Sequence, residues 1–177
     1  MTDEHVDLNA FAVALLKAGY RTLGQATDGL NDEQLYHQPT PDANSIGWLA
    51  WHLSRWMDRY GAIVSGDPHV WESGGWAERF GMDAARTGKG DSLEQVAAFH
   101  PARELLFGYV DAAHQAAVEI VGQISAERFL APFQSVAEGT PPTAWQVLVG
   151  SLMDMGQHTG QIAYLRGMIT GYGWRTV

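Results

Sequence analysis

The chain has 177 residues, of which 20 are acidic, 11 are basic and none is cysteine. This length suits a single domain over residues 1–177, and a hydrophobic share of 46% excludes a disordered protein. The formal net charge of −9, without any cluster of lysine or arginine, argues against nucleic acid as a partner. Without cysteine, disulfides and thiolate metal ligands are excluded, and any reactive thiol has to come from a second molecule.

The ends and the apolar runs of the chain give an expectation of cellular location. The first ten residues, MTDEHVDLNA, are acidic and lack the basic and then apolar layout of a signal peptide. No apolar run approaches the roughly 20 residues that a membrane-spanning helix needs. We therefore expect a cytoplasmic protein without a membrane partner.

Two long helices are predicted in the first third of the chain. The first covers about residues 7–25, where apolar residues recur at helical spacing. Its predicted buried stripe is formed by Phe11, Leu15 and Ala18, widened by Leu8, Leu16 and Leu23. The second helix is expected to begin at Asn44 or Ser45, which are both good N-caps, and to end near Val64. Its apolar face is formed by Ile46, Leu49, Leu53, Trp56, Met57 and Tyr60.

Residues 67–91 carry no helical pattern and are predicted to be irregular. A segment of this length is unusual in a compact helical domain, and it is expected to be either a lid or a mobile loop. Two large apolar side chains in it, Trp71 and Trp76, favour packing onto the domain and therefore the lid.

Two further helices complete the prediction. The segment Ser92–Gln95 has the spacing of a capping box, and Pro101 suits the first turn of a third helix that ends near Ile124. A second capping box at Thr143–Gln146 opens a fourth helix that ends near Thr170. No alternating stretch is long enough for a strand. The expected fold is all-α, a four-helix bundle with a long loop after its second helix.

Three residues are candidate metal ligands. Asp154 and His158 are four residues apart on the fourth helix and share a face, which Gln161 extends by one turn. His52 lies beside the apolar stripe of the second helix and offers a third ligand. Two nitrogens and one oxygen would leave coordination positions open, as in catalytic metal sites. On spacing alone, a packed histidine at 52 and a salt bridge between Asp154 and His158 remain alternatives.

Two segments carry a resemblance to a known family. Ser45–Leu53 and Gln157–Gly167 are similar to the DinB-like superfamily, which includes mycothiol-dependent maleylpyruvate isomerases and related thiol S-transferases. The resemblance implies a four-helix bundle, often dimeric, whose divalent metal is held by one histidine of the second helix and an H-x-x-x-H or E-x-x-x-H pair of the fourth. His52 and His158 match these positions, whereas Asp154 replaces the usual histidine or glutamate with a shorter carboxylate.

The expected function is that of a transferase or isomerase that uses a divalent metal and a low-molecular-weight thiol on a small electrophilic substrate. Zinc is the first expectation for the metal, with nickel, iron(II) and manganese as alternatives. A homodimer is expected. Two other functions stay open: a non-enzymatic, stress-related helical dimer without a working metal site, and a metal-dependent hydrolase.

Three more side chains are candidates for substrate binding. Arg59 and Arg166 lie about two turns from His52 and His158, and either could anchor a substrate carboxylate, with an ordinary salt bridge as the alternative. Gln161 could orient a ligand or a bound water. The carboxylate that precedes Arg59, at Asp58, is predicted to be exposed.

Overall fold

A computed structural model of the chain describes residues 7–132, 142–171, 173 and 174. These residues form helices and a single isolated β-bridge, without any strand, so the all-α prediction is confirmed. The four long helices are α1 Leu8–Thr27, α3 Ile46–Ser65, α7 Arg103–Gln123 and α9 Ala144–Thr170. The short ones are α2 Asp32–Leu35, α4 Val70–Ser73, α5 Trp76–Phe80, α6 Leu93–Ala97 and α8 Ala126–Leu130.

Polar side chains begin three of the long helices by accepting hydrogen bonds from backbone amides that no earlier turn could satisfy. Asp7 does so for α1, and Ser45, one of the two predicted N-caps, does so for α3. Thr143 and Gln146 form the predicted capping box at the start of α9. These few polar residues therefore fix where α3 and α9, the two helices that carry the candidate site, begin.

Two sequence predictions about the middle of the chain are wrong in detail. The 67–91 segment is not wholly irregular, because it contains α4 and α5. The long helix α7 begins at Arg103, two residues after Pro101, and the capping box at Ser92 opens the separate short helix α6. The expected packing of the segment's tryptophans is confirmed, since Trp71 is fully buried and Trp76 is 9% exposed.

The long helices share one hydrophobic core. Both α1 and α3 pack against α7 and α9, which places α1 and α3 on opposite sides of the group. The predicted apolar face of α3 is buried except for Trp56, which is partly exposed. Within the described residues, no helix combines the length and the apolar character that crossing a bilayer requires.

The buried face of α1 differs from the predicted one. Phe11 and Leu15 are 59% and 38% exposed, whereas Leu16 and Leu23 are buried. The reason lies at Gly19, which continues the buried face and has no side chain. A Cβ atom there would lie 2.6 Å from the sulfur of Met155 on α9, so the Met155 side chain fills the space over this face of α1 and the larger residues point outward.

A buried ion pair lies on α3 one turn beyond His52. Arg55 and Asp58 are 1% and 3% exposed, and Arg55 Nη1 lies 3.3 Å from Asp58 Oδ2. The prediction that Asp58 is exposed is therefore wrong. Helical spacing could not reveal this burial, because the 67–91 segment covers this side of α3 together with Tyr109 of α7.

Each charge of the pair is satisfied by the 67–91 segment. Asp58 accepts hydrogen bonds from the backbone amides of Val70 (2.7 Å) and Trp71 (2.8 Å) and from the Tyr109 hydroxyl (3.1 Å). Arg55 donates to the backbone carbonyls of Ala84 (3.2 Å) and Arg86 (3.0 Å) at the far end of the segment. The two ends of the segment are thus attached to one turn of α3.

Removing the carboxylate should strongly destabilise the protein. Asp58→Ala leaves a buried guanidinium and two buried amides without their acceptor, which is expected to lower the free energy of unfolding by about 3–5 kcal/mol. Asp67→Ala, at an exposed position of the same segment, is expected to change it by less than about 0.5 kcal/mol. Urea unfolding followed by circular dichroism measures both. Equal effects of the two substitutions would contradict the importance of the buried pair.

Candidate metal centre

His52 is held on α3 with one ring nitrogen already engaged. The side chain is buried, with 7% of its surface exposed. Its Nδ1 lies 2.6 Å from the backbone carbonyl oxygen of Thr87. A carbonyl oxygen only accepts, so Nδ1 carries the proton and donates it, and Nε2 is left with a free lone pair. This orientation is typical of histidines that bind metals through Nε2.

The ring of His52 is also fixed on its face. Trp48, one turn earlier on α3, stacks on it with ring centroids 4.6 Å apart and an interplanar angle of 12°. Burial among aromatic rings disfavours the charged imidazolium and lowers the pKa of His52 below its ordinary value, against the opposing effect of the Thr87 carbonyl. A neutral imidazole is the form that can donate its lone pair to a metal.

On α9 the predicted pair is in place. His158 Nε2 lies 3.4 Å from Asp154 Oδ1, and His158 Nδ1 lies 2.8 Å from Gln161 Oε1. Gln161 is placed to do for His158 what Thr87 does for His52: with its amide oxygen accepting the Nδ1 proton, Nε2 carries no hydrogen and faces Asp154 with its lone pair. The side chains of His158 and Asp154 are 15% and 37% exposed, so this side of the site is open to small molecules.

The packing of α3 against α9 brings the two histidines together. The ring centroids of His52 and His158 are 5.0 Å apart, with the rings nearly perpendicular. Asp154 is close enough for its charge to act on the pKa of His52. Within the ranges that the structure describes, however, no group of three or more His, Cys, Asp or Glu side chains has the geometry of a metal site as it stands.

The donor set can be tested for its fit to a metal ion at the Asp154–His158 pair. With the proton of His158 on Nδ1, its Nε2 and the carboxylate oxygen are both acceptors, and they face each other at 3.4 Å. Two ligands on a tetrahedral ion with bonds near 2.0–2.1 Å are about 3.3 Å apart. A shared cation or a second proton on His158 would each resolve the contact, and the donor types are those of a divalent metal site.

Arg59, one of the two predicted anion-binding arginines, lies at a cavity beside the pair. The cavity has a volume of about 340 Å³ and lies between α3 and α9. It is lined by Trp56, Arg59, Tyr60, Ile63, Val147, Gly150, Ser151 and Asp154. The guanidinium carbon of Arg59 is 5.4 Å from the centroid of the Trp56 ring, and its buried Nε has no hydrogen-bond partner among the described residues.

Arg166, the other predicted arginine, lies two turns beyond His158 on α9. Its Nε and Nη1 atoms are buried and have no hydrogen-bond partner within the described part of the chain. Among the described residues, it does not line the cavity beside Asp154, and the ion-pair partner of His158 is Asp154. Arg59 is therefore the better placed of the two for a ligand of this site.

Sequence reasoning missed the backbone that reaches His52. Gly88, next to Thr87, has a φ of +87°, and a Cβ atom there would lie 2.6 Å from His52 Nδ1. Asp91 then accepts a hydrogen bond from Trp48 Nε1 at 3.1 Å and two from Arg86 at 3.1 and 2.8 Å. Burial raises the pKa of Asp91, but these hydrogen bonds outweigh it and the net pKa is lowered. The only signal in the sequence is the pair of glycines in Thr87–Gly90, which marks a tight turn without naming its contact.

Comparison with known proteins assigns the chain to a protein family. The family model of the DinB superfamily matches residues 15–162, which is most of the chain. The chain belongs to the DinB superfamily. A search of the curated proteins finds no significant match.

A solved structure shares the DinB fold of this chain. The crystal structure of a conserved protein from Enterococcus faecalis superposes with a TM-score of 0.83 and covers 94% of this chain and 99% of its own. The two sequences are 22% identical, so this likeness concerns the fold alone. The predicted membership of the DinB-like superfamily is confirmed by the family model.

Stability should depend on pH through His52. Because burial lowers its pKa in the folded state, the unfolded chain binds the proton first as the pH falls. The free energy of unfolding of the metal-free protein should be at its full value above the ordinary histidine pKa of 6.5 and should decrease as the pH falls through the folded pKa.

Urea unfolding at about pH 7.5 and about pH 5, on either side of the ordinary histidine pKa, measures this dependence. His52→Gln should lose less stability between the two pH values than the parent does, because it lacks the titrating ring. The other histidines remain in both proteins, and His158 is the one whose charge acts on the pKa of His52, so the difference between the two proteins reports on His52 together with this coupling. An unchanged pH dependence in His52→Gln would show that His52 does not carry the effect.

Proposed function

We propose that this DinB-superfamily protein is an enzyme that binds a divalent metal through His52, Asp154 and His158 and uses it, with a low-molecular-weight thiol, on a small electrophilic substrate. The observation that carries the proposal is the matched orientation of the two histidines. In each, Nδ1 is engaged by an oxygen acceptor, at 2.6 Å from Thr87 and 2.8 Å from Gln161. With the proton on Nδ1, each ring keeps its Nε2 lone pair for a ligand, and the ring centroids lie 5.0 Å apart.

The chemistry follows from the donor set and the composition. A divalent ion held by two nitrogens and one oxygen keeps open positions, and when bound it would stabilise a coordinated thiolate at neutral pH. The chain has no cysteine, so the sulfur nucleophile enters with a cosubstrate. Zinc suits this mixed donor set and a soft sulfur ligand, with nickel, iron(II) and manganese as the alternatives.

The cavity beside Asp154 supports a site for the electrophile. Its walls are mostly apolar and aromatic, and its volume of about 340 Å³ falls within the range of small-molecule sites. Arg59 brings a positive charge whose Nε is buried without a partner among the described residues. We therefore assign Arg59 to a carboxylate of the substrate and Gln161 to the orientation of His158. Arg166 stays a predicted substrate residue that lies away from this cavity.

An exposed apolar line on α9 supports the proposed homodimer. Trp145, Val149 and Met153 follow each other at intervals of four residues and are 46%, 39% and 60% exposed. On α1, Phe11 and Leu15 are exposed in the same way. A run of large apolar side chains at helical spacing is typical of a helix that packs against a partner.

The two alternative functions differ from the proposed one in what they require. The non-enzymatic dimer keeps this exposed apolar line on α9 but needs no metal, and the hydrolase keeps the metal but needs no thiol.

Metal content tests the proposed site. Protein purified without chelator and without nickel affinity resin is expected to hold close to one divalent ion per chain by mass spectrometry. His158→Ala should lose most of it, since one of three ligands is gone. His100→Ala removes an exposed histidine that bonds to the Ala97 carbonyl, and it should keep the parent's content. A parent that stays empty after dialysis against zinc, nickel and manganese would sink the metalloenzyme proposal.

A substrate series tests the role of Arg59. Turnover of a carboxylate-bearing electrophile should require added thiol, which a metal hydrolase would not need. Losing a charge-assisted hydrogen bond costs about 1.5–3 kcal/mol, so Arg59→Gln should lower kcat/KM for this substrate about 10- to 100-fold. The uncharged amide of the same substrate should lose little, because it makes no ion pair. Equal losses for acid and amide would refute the assignment.

A further inference from the structure

The contact between Thr87 and His52 is made by backbone that comes from outside the long helices. His52 belongs to α3, and its acceptor lies 35 residues later in the chain, near the end of the 67–91 segment. A backbone carbonyl in a loop can rotate away with its peptide unless its neighbours are held. The neighbours of Thr87 are held on both sides.

On the N-terminal side, Arg55 holds the two residues that lead to Thr87. Its Nη2 donates to the Ala84 carbonyl at 3.2 Å and its Nε to the Arg86 carbonyl at 3.0 Å. The guanidinium is itself buried and paired with Asp58 at 3.3 Å, so it has little freedom to move. The backbone carbonyl immediately before Thr87 is therefore attached to the helix that carries His52.

On the C-terminal side, Asp91 closes the turn. Its carboxylate accepts from Trp48 Nε1 at 3.1 Å and from the Arg86 guanidinium at 2.8 Å, and its amide donates to the Gly88 carbonyl at 3.1 Å. Trp48 is the residue whose ring stacks on His52. Asp91 thus connects the end of the turn to the face of the same imidazole.

Between the two attachments lies a residue that can have no side chain. Gly88 adopts a φ of +87°, and an added Cβ would lie 2.6 Å from His52 Nδ1, 2.8 Å from Trp48 and 3.0 Å from Trp51. All three are ring atoms packed in the core, so none can give way cheaply. Gly90 has a similar φ of +83°, but nothing lies within 4 Å of the position its Cβ would take.

We propose that the Thr87–Gly88 turn is a positioning element of the metal centre, which selects the Nδ1-protonated form of His52 and so presents Nε2 to the ion. Gly88 permits the approach, and Arg55 and Asp91 hold the Thr87 carbonyl against the ring. The proposal rests on the proposed function for its metal, but the tautomer of His52 is a property of the metal-free protein. If this hydrogen bond served packing alone, its loss would lower the stability of the protein without changing its affinity for zinc.

Gly88→Ala and Gly90→Ala form the matched pair that tests this. Both place alanine at a positive φ, so both pay for the strained backbone, but only alanine at 88 meets His52. Zinc affinity, measured by competition with a chromophoric chelator, should fall about 10- to 100-fold in Gly88→Ala, as on loss of a partner that orients a ligand. It should change by less than about twofold in Gly90→Ala. Equal affinities in the two variants would overturn the proposal.

Nitrogen NMR of the metal-free proteins gives the second readout. The parent and Gly90→Ala should show His52 with a protonated Nδ1 and a bare Nε2, and Gly88→Ala should show a shift toward the Nε2-protonated form. An unchanged tautomer in Gly88→Ala would overturn the proposal. If that variant does not fold, the parent decides: a coupling across the hydrogen bond between His52 Nδ1 and the Thr87 carbonyl carbon supports the proposal, and its absence overturns it.

The two proposals can fail separately. A parent that binds no metal but shows the Nδ1-protonated form, lost in Gly88→Ala and kept in Gly90→Ala, would remove the proposed function and leave the positioning of His52 standing. If the parent and Gly88→Ala bind zinc equally well, the proposed metal site stands and the positioning role of the Thr87–Gly88 turn is refuted.

Discussion

Arg55 and Asp58 lie about one and two turns beyond His52 on α3, almost completely removed from water. Two opposite charges in such a place are costly unless every hydrogen-bonding atom finds a partner. Those partners are supplied mainly by the 67–91 segment, which gives amides to Asp58 near its start and carbonyls to Arg55 near its end. The pair can be buried at low cost only when the segment follows the path that brings these partners to it. The position of the Thr87 carbonyl, and with it the orientation of His52, follows from that path.

The long helices could be predicted from the sequence because their signals are local. Caps at Ser45 and Thr143 and apolar spacing on α3 depend on residues within one or two turns, and these predictions agree with the structure. The face of α1 could not be predicted as well. It carries two adjacent apolar stripes, and the choice between them depends on the close approach of α9 at Gly19, which is a tertiary contact. The short helices of the 67–91 segment were not predicted, because a single helical turn is too short to show a periodic pattern in the sequence.

The candidate site divides in the same way. Asp154, His158 and Gln161 share a helix, and their spacing alone placed them on one face, where the structure has them in contact. The place of His52 beside an apolar stripe offered it as a third ligand, and the family resemblance strengthened that expectation. The packing of α3 on α9 itself leaves no mark in a local pattern. The backbone carbonyl of Thr87 is chemically the same at every position in a chain, so no residue type announces it. Asp58 was misjudged because helical geometry says which way a side chain points but not what covers it.

The distribution of indole rings around His52 has an optical consequence. Of the seven tryptophans in the chain, five lie between residues 48 and 76, and one of them, Trp48, is stacked on the His52 ring at 4.6 Å. Trp51 stands 6.4 Å from Trp48 and 6.0 Å from Trp71, so excitation absorbed by one ring passes readily to the next. An imidazole that gains positive charge, from a proton or a bound cation, quenches the fluorescence of the indole stacked on it. The protein therefore carries its own fluorescent reporter for the electronic state of a single histidine.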